Sequence, residues 1–489
     1  MQYGFVIDQD ACIGCHACTV ACKSENEVPV GKFRTSVKYV ESGVFPDVKR
    51  NFLVQRCNHC SDAPCVTICP VNALEKRPDG IVDVDRDACI GCRACMQACP
   101  YDAIYLNEDK GAVEKCHFCA HRVEVGLEPA CAVVCPVNAI IAGDMSDPNS
   151  APGQVLSQHE TVVRRPEQET GPNVHYKGAD PLALYPGRVE RPPMYMWSDR
   201  PPAKADQWPS SVPLEPDARV VLDVGHEVTW GWPVAAYLVT KGLGAGAGMV
   251  APFLGMMGVV GFTQQWLPEI VGLVFTILTL GLLVEDLARP WRVYRMLTRP
   301  NWSSWLVKGG VVLSAYVALL VASLVLRLVD MEQAADVIRW LNLPVAFCAA
   351  GYTALLFRQC KGRDLWEGRW LLPHLLFQAG LCGAVILLAF SDNSWLVVIT
   401  IVCAIGHLFF ALIEGFGSHP TENAKQAAGF LVSLSIGPFK LFRDGLLLCV
   451  IGGVLLSIFL PVVAWIPVLL GLLMYEHTYI RAGQMPPLS

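Results

Sequence analysis

The chain has 489 residues, 53% of them hydrophobic and only 17% charged, with a net charge of −6. That length predicts two or more domains, and so modest a charge excludes nucleic-acid binding through bulk electrostatics. Sixteen of the 21 cysteines precede Ile140, while the long apolar runs begin only after about Trp230.

The first stretch, MQYGFVIDQDAC, has neither a basic region nor an apolar core. No secretory or twin-arginine signal is read there, so export would depend on a partner with its own signal. Residues 1–143 hold four cysteine groups: Cys12, Cys15, Cys18, Cys22; Cys57, Cys60, Cys65, Cys69; Cys89, Cys92, Cys95, Cys99; and Cys116, Cys119, Cys131, Cys135. This clustering argues against a disulfide framework. Groups one and three have the C-x2-C-x2-C-x3-C run of bacterial ferredoxins. Three closely spaced thiolates wrap one face of a four-iron cubane. The fourth lies on the following helical turn and serves the other cluster of a pair. Groups two, three and four end in Cys-Pro, as CPVNAL, CPYDAI and CPVNAI, which marks an internal repeat. Group one ends CKSEN, so Cys22 lacks the proline. Zinc sites usually take two cysteine pairs, so sixteen cysteines in this spacing predict four [4Fe-4S] clusters. His16, His59, His117 and His121 are read as loop and tuning groups rather than ligands.

Residues 144–217 carry thirteen prolines, from Pro148 to Pro216, which disfavour helix and favour extended backbone. They are read as a linker: an ordered strap over the first domain or a partner, or a flexible tether.

Residues 218–489 are the membrane zone. Eight apolar segments of about bilayer-spanning length are expected near 231–257, 269–288, 304–327, 341–358, 372–391, 395–415, 441–460 and 462–480. Trp230, Trp232, Trp266, Trp302, Trp305, Trp395 and Trp465 lie near segment ends, as interfacial aromatics do. Gly242, Gly244, Gly246 and Gly248 suit close helix packing. The loops after segments two, four and six hold eleven basic residues: Arg289, Arg292, Arg295, Arg299, Arg358, Lys361, Arg363, Arg369, Lys425, Lys440 and Arg443. The opposite loops hold only Arg327 and Arg339. The positive-inside rule places the basic side, and with it the cysteine domain, in the cytoplasm. The rival reading is that the basic loops dock the iron–sulfur domain, whichever side it occupies.

Polar groups within lipid are costly and read as functional. The candidates are His226 and Trp230 before the first helix, Lys241 within it, Glu285 and Asp286 ending the second, Arg289 just beyond, Lys308 opening the third, His374 opening the fifth, and His407 and Glu414 in the sixth. A quinone needs a flat apolar slot, donors for its carbonyl oxygens and a proton route. A histidine with a carboxylate and an aromatic wall supplies these. Lys241 and His407 are read as a buried, paired proton-transfer set. For Glu285 and Asp286 the alternative is a docking salt bridge.

The sixteen-cysteine pattern over residues 1–145 resembles the four-cluster iron–sulfur subunits of the dimethyl sulfoxide reductase family, which accompany molybdopterin enzymes. The resemblance implies four ligand sets: Cys12, Cys15, Cys18 and Cys135; Cys116, Cys119, Cys131 and Cys22; Cys57, Cys60, Cys65 and Cys99; and Cys89, Cys92, Cys95 and Cys69. The segments WGWPVAAYLVTKGLGAGA (230–247) and EDLARPWRVYRMLTRPNWSSWLVKGG (285–310) resemble the NrfD/polysulfide reductase membrane anchors. That resemblance implies no haem and a quinone, menaquinone or ubiquinone, bound among the first four helices beside the iron–sulfur part. It supports His226, Glu285, Asp286 and Arg289 as the site region.

The expected fold is thus an α+β ferredoxin-like double-dicluster domain (1–143), a Pro-rich linker (144–217) and an all-α bundle of about eight membrane helices (218–489), in the inner membrane among lipid. The expected function is electron transfer between membrane quinone and a separate molybdopterin catalytic subunit, acting on formate or on a sulfur or arsenic oxyanion. The alternatives are a redox-driven ion-translocating module, or the iron–sulfur and quinone module of a hydrogenase or cytochrome-linked complex.

Overall fold

The computed structural model describes residues 1–185, 189, 215, 217–433 and 440–488. In the cysteine domain each cysteine loop leads into a short helix: Ala17–Asn26, Pro64–Ile68, Ala94–Ala98 and Ala130–Val133. The repeat is visible in the backbone. Gly14 and Gly91 sit at φ 70° and 73°, and His16 and Arg93 both sit at φ 60°. After each Cys-Pro, the Asn or Asp of the repeat (Asn72, Asp102, Asn138) is left-handed, at φ 50°, 54° and 51°. Asn and Asp tolerate that region because their short polar side chains bond locally. The missing proline after Cys22 also has a consequence. The second and third of these helices stop at the cysteine before the proline, whereas Ala17–Asn26 runs on for ten residues.

Tyr3–Asp8 is the centre of a four-stranded sheet. It pairs antiparallel with Ile140–Asp144 and parallel with Val174–Lys177, which in turn pairs with Thr161–Val162. A second sheet joins Ala218–Leu222, Thr35–Ser42 and Lys49–Arg56. The linker expected from residue 144 is therefore corrected. Residues up to Leu184 belong to the first domain, and both Ala151–Gln158 and Pro181–Leu184 are helical. Their prolines occupy the first helical positions, where the missing N–H costs nothing. Residues 190–214 of the expected strap lie outside the described residues.

Among the described residues eight helices are long and apolar enough to cross a membrane: Trp232–Phe253, Leu267–Glu285, Trp305–Leu328, Glu332–Arg358, Leu371–Leu388, Ser394–Phe416, Lys440–Phe459 and Pro461–Gln484. They are called helices one to eight below. Helix four begins at Glu332 rather than near 341. The charges that interrupt the apolar run are paired: the Arg339 Nε donates to Glu269 Oε1 at 2.7 Å, and the Arg327 guanidinium meets Asp336 at 2.7 Å. Helices one and five cross at their glycines. A Cβ on Gly246 would lie 1.8 Å from the Ala379 carbonyl oxygen, and one on Gly383 would lie 2.1 Å from the Gly246 carbonyl carbon.

The cysteine domain sits directly on the loops at one end of this bundle. Arg289 and Arg292 donate to the Arg86 carbonyl, and Arg292 and Arg295 both reach the Asp87 carbonyl. Asn301 donates to the Cys69 carbonyl at 2.8 Å, and Ser304 to the Ile68 carbonyl at 2.7 Å. One terminal nitrogen of Arg165 lies 3.0 Å from both carboxylate oxygens of Asp364, a buried ion pair across the join. Gly91 is left-handed and packs on Ala288, which a Cβ there would meet at 2.5 Å. The docking reading of the basic loops thus describes Arg289, Arg292, Arg295 and Arg299 (which meets Asp85), together with Arg363, whose Nε donates to Gln97.

Candidate redox wire and membrane cavity

The thiols converge in four sets. Cys12 neighbours Cys15 and Cys135, and Cys18 neighbours Cys12. Cys22 neighbours Cys131 and Cys119, and Cys116 neighbours Cys22. Cys57, Cys60, Cys65 and Cys99 line one internal void. Cys92 and Cys95 neighbour Cys69 and Cys89. Cys135 thus lies beside the first run, Cys22 beside the fourth, Cys99 beside the second and Cys69 beside the third. Asn26, on the extra turn allowed by the missing proline, reaches from Cys22 Sγ (3.7 Å) to Cys119 Sγ (3.8 Å). Among the described residues no three His, Cys, Asp or Glu side chains converge on a point one ion could fill. A cubane needs no such convergence, since each thiolate binds a different iron. Burial pushes the Cys18, Cys22 and Cys99 thiols up to about 11, so binding iron would displace protons.

The sets form a line. Cys18 neighbours Cys131, Cys116 neighbours Cys57, and Cys95 neighbours Cys65. The Cys12 set is therefore one end and the Cys89 set the other. At the first end Cys15 is exposed. At the second, Cys92 forms part of the wall of a cavity of about 650 Å³ between helices one to four.

Two cations lie inside the line. Arg56 donates to Cys131 Sγ at 3.2 Å and is buried, with its Nε and second terminal nitrogen unpartnered. Its neighbours are Cys131, Cys116 and Cys18. Lys115, equally buried, donates to the Val82 and Cys116 carbonyls and neighbours Cys57, Cys65 and Cys116. Neither has a carboxylate ion-pair partner among the described residues. A buried cation without a counter-charge is costly, so these thiol sets fit groups that carry negative charge, as thiolate-ligated clusters do.

The cavity is in the size range of small-molecule sites and is largely apolar. Its polar edge comes from Asp286, Tyr237, Tyr294, Ser314, Tyr352 and the Trp230 indole. Leu297 lines it and is 84% exposed, and Tyr294 and Val311 are also exposed, so one side opens at the surface of the bundle. Trp230 Nε1 donates to the Cys92 carbonyl at 3.4 Å, and its ring stacks 5.7 Å from Trp366. Asp286 accepts from Arg93, which follows Cys92, at 3.0 Å. Burial raises the Asp286 carboxyl above its usual range, against the pull of Arg93.

Of the expected site residues, Trp230 and Asp286 line this cavity, and Asp286 also makes a docking salt bridge. His226 does not line it. Its Nδ1 meets Asp102 and its Nε2 the Gln484 carbonyl, both at 2.6 Å, at the join between the two parts. Arg289 is committed to docking, and Glu285 is exposed outside the wall. Lys308 lies over the Trp305 ring. Lys241 and His407 are both buried, but not against each other. Lys241 Nζ donates to the Ala350 carbonyl (3.0 Å) and the Thr353 hydroxyl (2.6 Å), 5.1 Å from the centre of the Tyr352 ring. His407 Nδ1 lies 2.8 Å from His374 Nε2, and His374 Nδ1 lies 3.0 Å from Glu414. Sequence reasoning missed Tyr237, Tyr352, Gln378, Tyr475 and Glu476. Glu476, which directly follows the apolar run of helix eight, was the visible signal.

Known families match both parts. The 4Fe-4S dicluster domain family matches residues 48–145, a 4Fe-4S binding domain family matches 3–24, and the polysulphide reductase NrfD family matches 221–473. A subunit of the tetrathionate reductase of Salmonella typhimurium is 44% identical over 195 residues, 39% of this chain and 78% of that protein. A component of the polysulfide reductase of Wolinella succinogenes is 42% identical over 173 residues, 35% of this chain and 90% of that protein. The arsenate respiratory reductase iron-sulfur subunit of a Shewanella species is 35% identical over 224 residues, 36% of this chain and 96% of that protein. Each of these relatives corresponds to well under half of this chain, whereas the NrfD match covers just over half of it. A 4Fe-4S electron-transfer module of the kind found in reductase subunits is here joined to a multi-pass membrane domain, and the protein belongs to the NrfD polysulphide reductase family.

Proposed function

We propose that the chain carries electrons between a membrane quinone and a separate molybdopterin catalytic subunit, through four [4Fe-4S] clusters, one in each thiol set. The observation that carries this reading is Cys92: a residue of the last thiol set is also part of the wall of a large apolar cavity between the membrane helices. A quinone there would lie within a few ångströms of a cluster. Trp230, Asp286, Tyr237 and Tyr352 are the residues proposed to bind it. His226, Glu285 and Arg289 are proposed to hold the cysteine domain over the cavity, because their contacts, or their exposure, keep them out of its wall. Quinone chemistry needs no haem, and none is proposed.

The catalytic subunit is proposed to dock at the Cys15 end, where Ile13 (56%) and Val20 (65%) are exposed beside the thiol set. Its substrate class, a sulfur or arsenic oxyanion, is suggested by the names of the relatives. The chain is placed in the inner membrane with its cysteine domain cytoplasmic. The direct test is anaerobic. Menadiol added to the purified chain should reduce clusters that dithionite also reduces, followed by electron paramagnetic resonance. If dithionite reduces them and no quinol does, the quinone assignment fails.

A further inference from the structure

Helices one, four, five, six and eight enclose a second polar feature that electron transfer does not use. From the cavity wall inward, Tyr352 interacts with the Thr353 hydroxyl, which accepts from Lys241 Nζ at 2.6 Å. Beyond Lys241 is a small cavity, roomy enough for one water, that Lys241, Gln378 and Glu476 line together. Gln378 bonds Glu476 and reaches His374 Nε2 at 3.4 Å and His407 Nδ1 at 3.5 Å. His374 meets Glu414 at 3.0 Å, and Tyr475 donates to the same carboxylate at 2.5 Å. Glu414 neighbours His419, in the loop after helix six, on the side where the cysteine domain sits.

Four atoms of this chain of groups are buried without a hydrogen-bond partner: Glu476 Oε1, Glu414 Oε1, His407 Nε2 and His419 Nε2. A purely structural network would leave none, because each such atom in a low-dielectric interior costs free energy. Groups that exchange protons with water or with one another need just such free positions.

We infer that this network is the proton route of the cavity. It leads from Tyr352 and Lys241, through Glu476 and the His374–His407 pair, to Glu414 and His419 on the cysteine-domain side. The inference rests on the quinone reading above. Oxidising one quinol releases two electrons and two protons. The electrons leave singly past Cys92, with the iron–sulfur clusters as one-electron acceptors, and the two O–H protons leave by this route. Quinone reduction runs the same movements in reverse. Both products then leave toward the same face, so quinol oxidation in this chain is not itself a pump.

The test uses the full chain in sealed proteoliposomes, with a pH dye trapped inside, menadiol as quinol and ferricyanide outside. Ferricyanide does not cross the bilayer, so once its direct oxidation of menadiol in protein-free vesicles is subtracted, it reports only molecules whose cysteine domain faces outward. Two protons per menadiol should appear in the outer medium, with no burst inside. Glu414→Gln, close to isosteric, should slow menadiol oxidation at least tenfold, while dithionite-reduced clusters are reoxidised by ferricyanide at the wild-type rate. Tyr475→Phe, which keeps Glu414, should slow it less. Proton release inside the vesicles, or unchanged rates in both Glu414→Gln and Glu476→Gln, would overturn the route. If the unmodified chain oxidises no menadiol at all, the quinone reading falls, and the route with it.

Discussion

Arg56 and Lys115 occupy matching places: each directly precedes the first cysteine of its group, in RCNHC and KCHFC, where groups one and three have Ala11 and Ala88. The set containing Cys22, Cys116, Cys119 and Cys131 lies between them. Fixed positive charge favours the reduced, more negative state of a cluster. A unit charge about 7 Å from the iron, at an effective dielectric of about 20, is worth roughly 2 kcal/mol, or on the order of 100 mV for one electron. Arg56→Met should therefore lower the midpoint potential of this cluster by that order while leaving the Cys89 set nearly unchanged, in a potentiometric titration followed by electron paramagnetic resonance. Equal shifts in all clusters would contradict the assignment. Cys22→Ser should abolish the cluster held with Cys116, Cys119 and Cys131 and spare that of Cys12, Cys15 and Cys18. The cysteines were legible because their spacing encodes local geometry. The cations were visible as letters but not as buried charges, since burial arises from strands and helices distant in sequence. His226 shows the opposite case. A histidine at a membrane edge suggests chemistry, but Asp102 and Gln484, more than a hundred residues away on either side, bind both its nitrogens.

Helix number was readable from hydropathy because each span must satisfy its own backbone in lipid. Helix pairing was not readable, and pairing makes the cavity. Helix one is the most enclosed, and its glycines let helix five approach at backbone distance. Helices two and three are left splayed near the cysteine domain, with the segment Pro290–Thr298 between them supplying Tyr294, Met296 and Leu297 to the wall. Gly310, on helix three, faces this space. A Cβ there would meet only the Met296 methyl, at 3.8 Å. Gly310→Phe should thus fit the helix yet fill the cavity. Menadiol-dependent cluster reduction should fall about tenfold or more, with dithionite-reducible iron unchanged. Gly246→Leu makes the contrast. It forces a side chain into the Ala379 backbone and should destabilise the bundle by several kcal/mol, as overpacking and lost helix contact combine. That would be read as loss of folded protein on detergent size exclusion rather than as a selective kinetic effect.

Joining the two parts in one chain fixes a line of thiol sets to an apolar cavity between the helices, and the docking contacts account for part of the lopsided loop charge. Arg289, Arg292, Arg295, Arg299 and Arg363 contact the cysteine domain, so these five would be required on either side of the membrane. They cannot report topology. The remaining basic residues on that face are Arg358, Lys361, Arg369, Lys425, Lys440 and Arg443. On the other face Arg327 and Arg339 are each held by acidic partners, Asp336 and Glu269. Of the six on the cysteine-domain face, Lys361, Lys425 and Arg443 are likewise held by Glu367, Glu422 and Asp444. On the three that have no ion-pair partner among the described residues, Arg358, Arg369 and Lys440, the positive-inside rule predicts a cytoplasmic cysteine-domain face. The eight helices return the end of helix eight to that face, where Gln484 bonds Gln97 and the Trp230 backbone. A green fluorescent protein fused after residue 489 should accordingly fluoresce, and alkaline phosphatase fused there should be inactive. Phosphatase inserted at Asp392, in the short loop between helices five and six, should be active. The reverse pattern would place the cysteine domain outside the cytoplasm and overturn the positive-inside reading of the six remaining basic residues. The catalytic subunit at the Cys15 end would then have to be an exported protein.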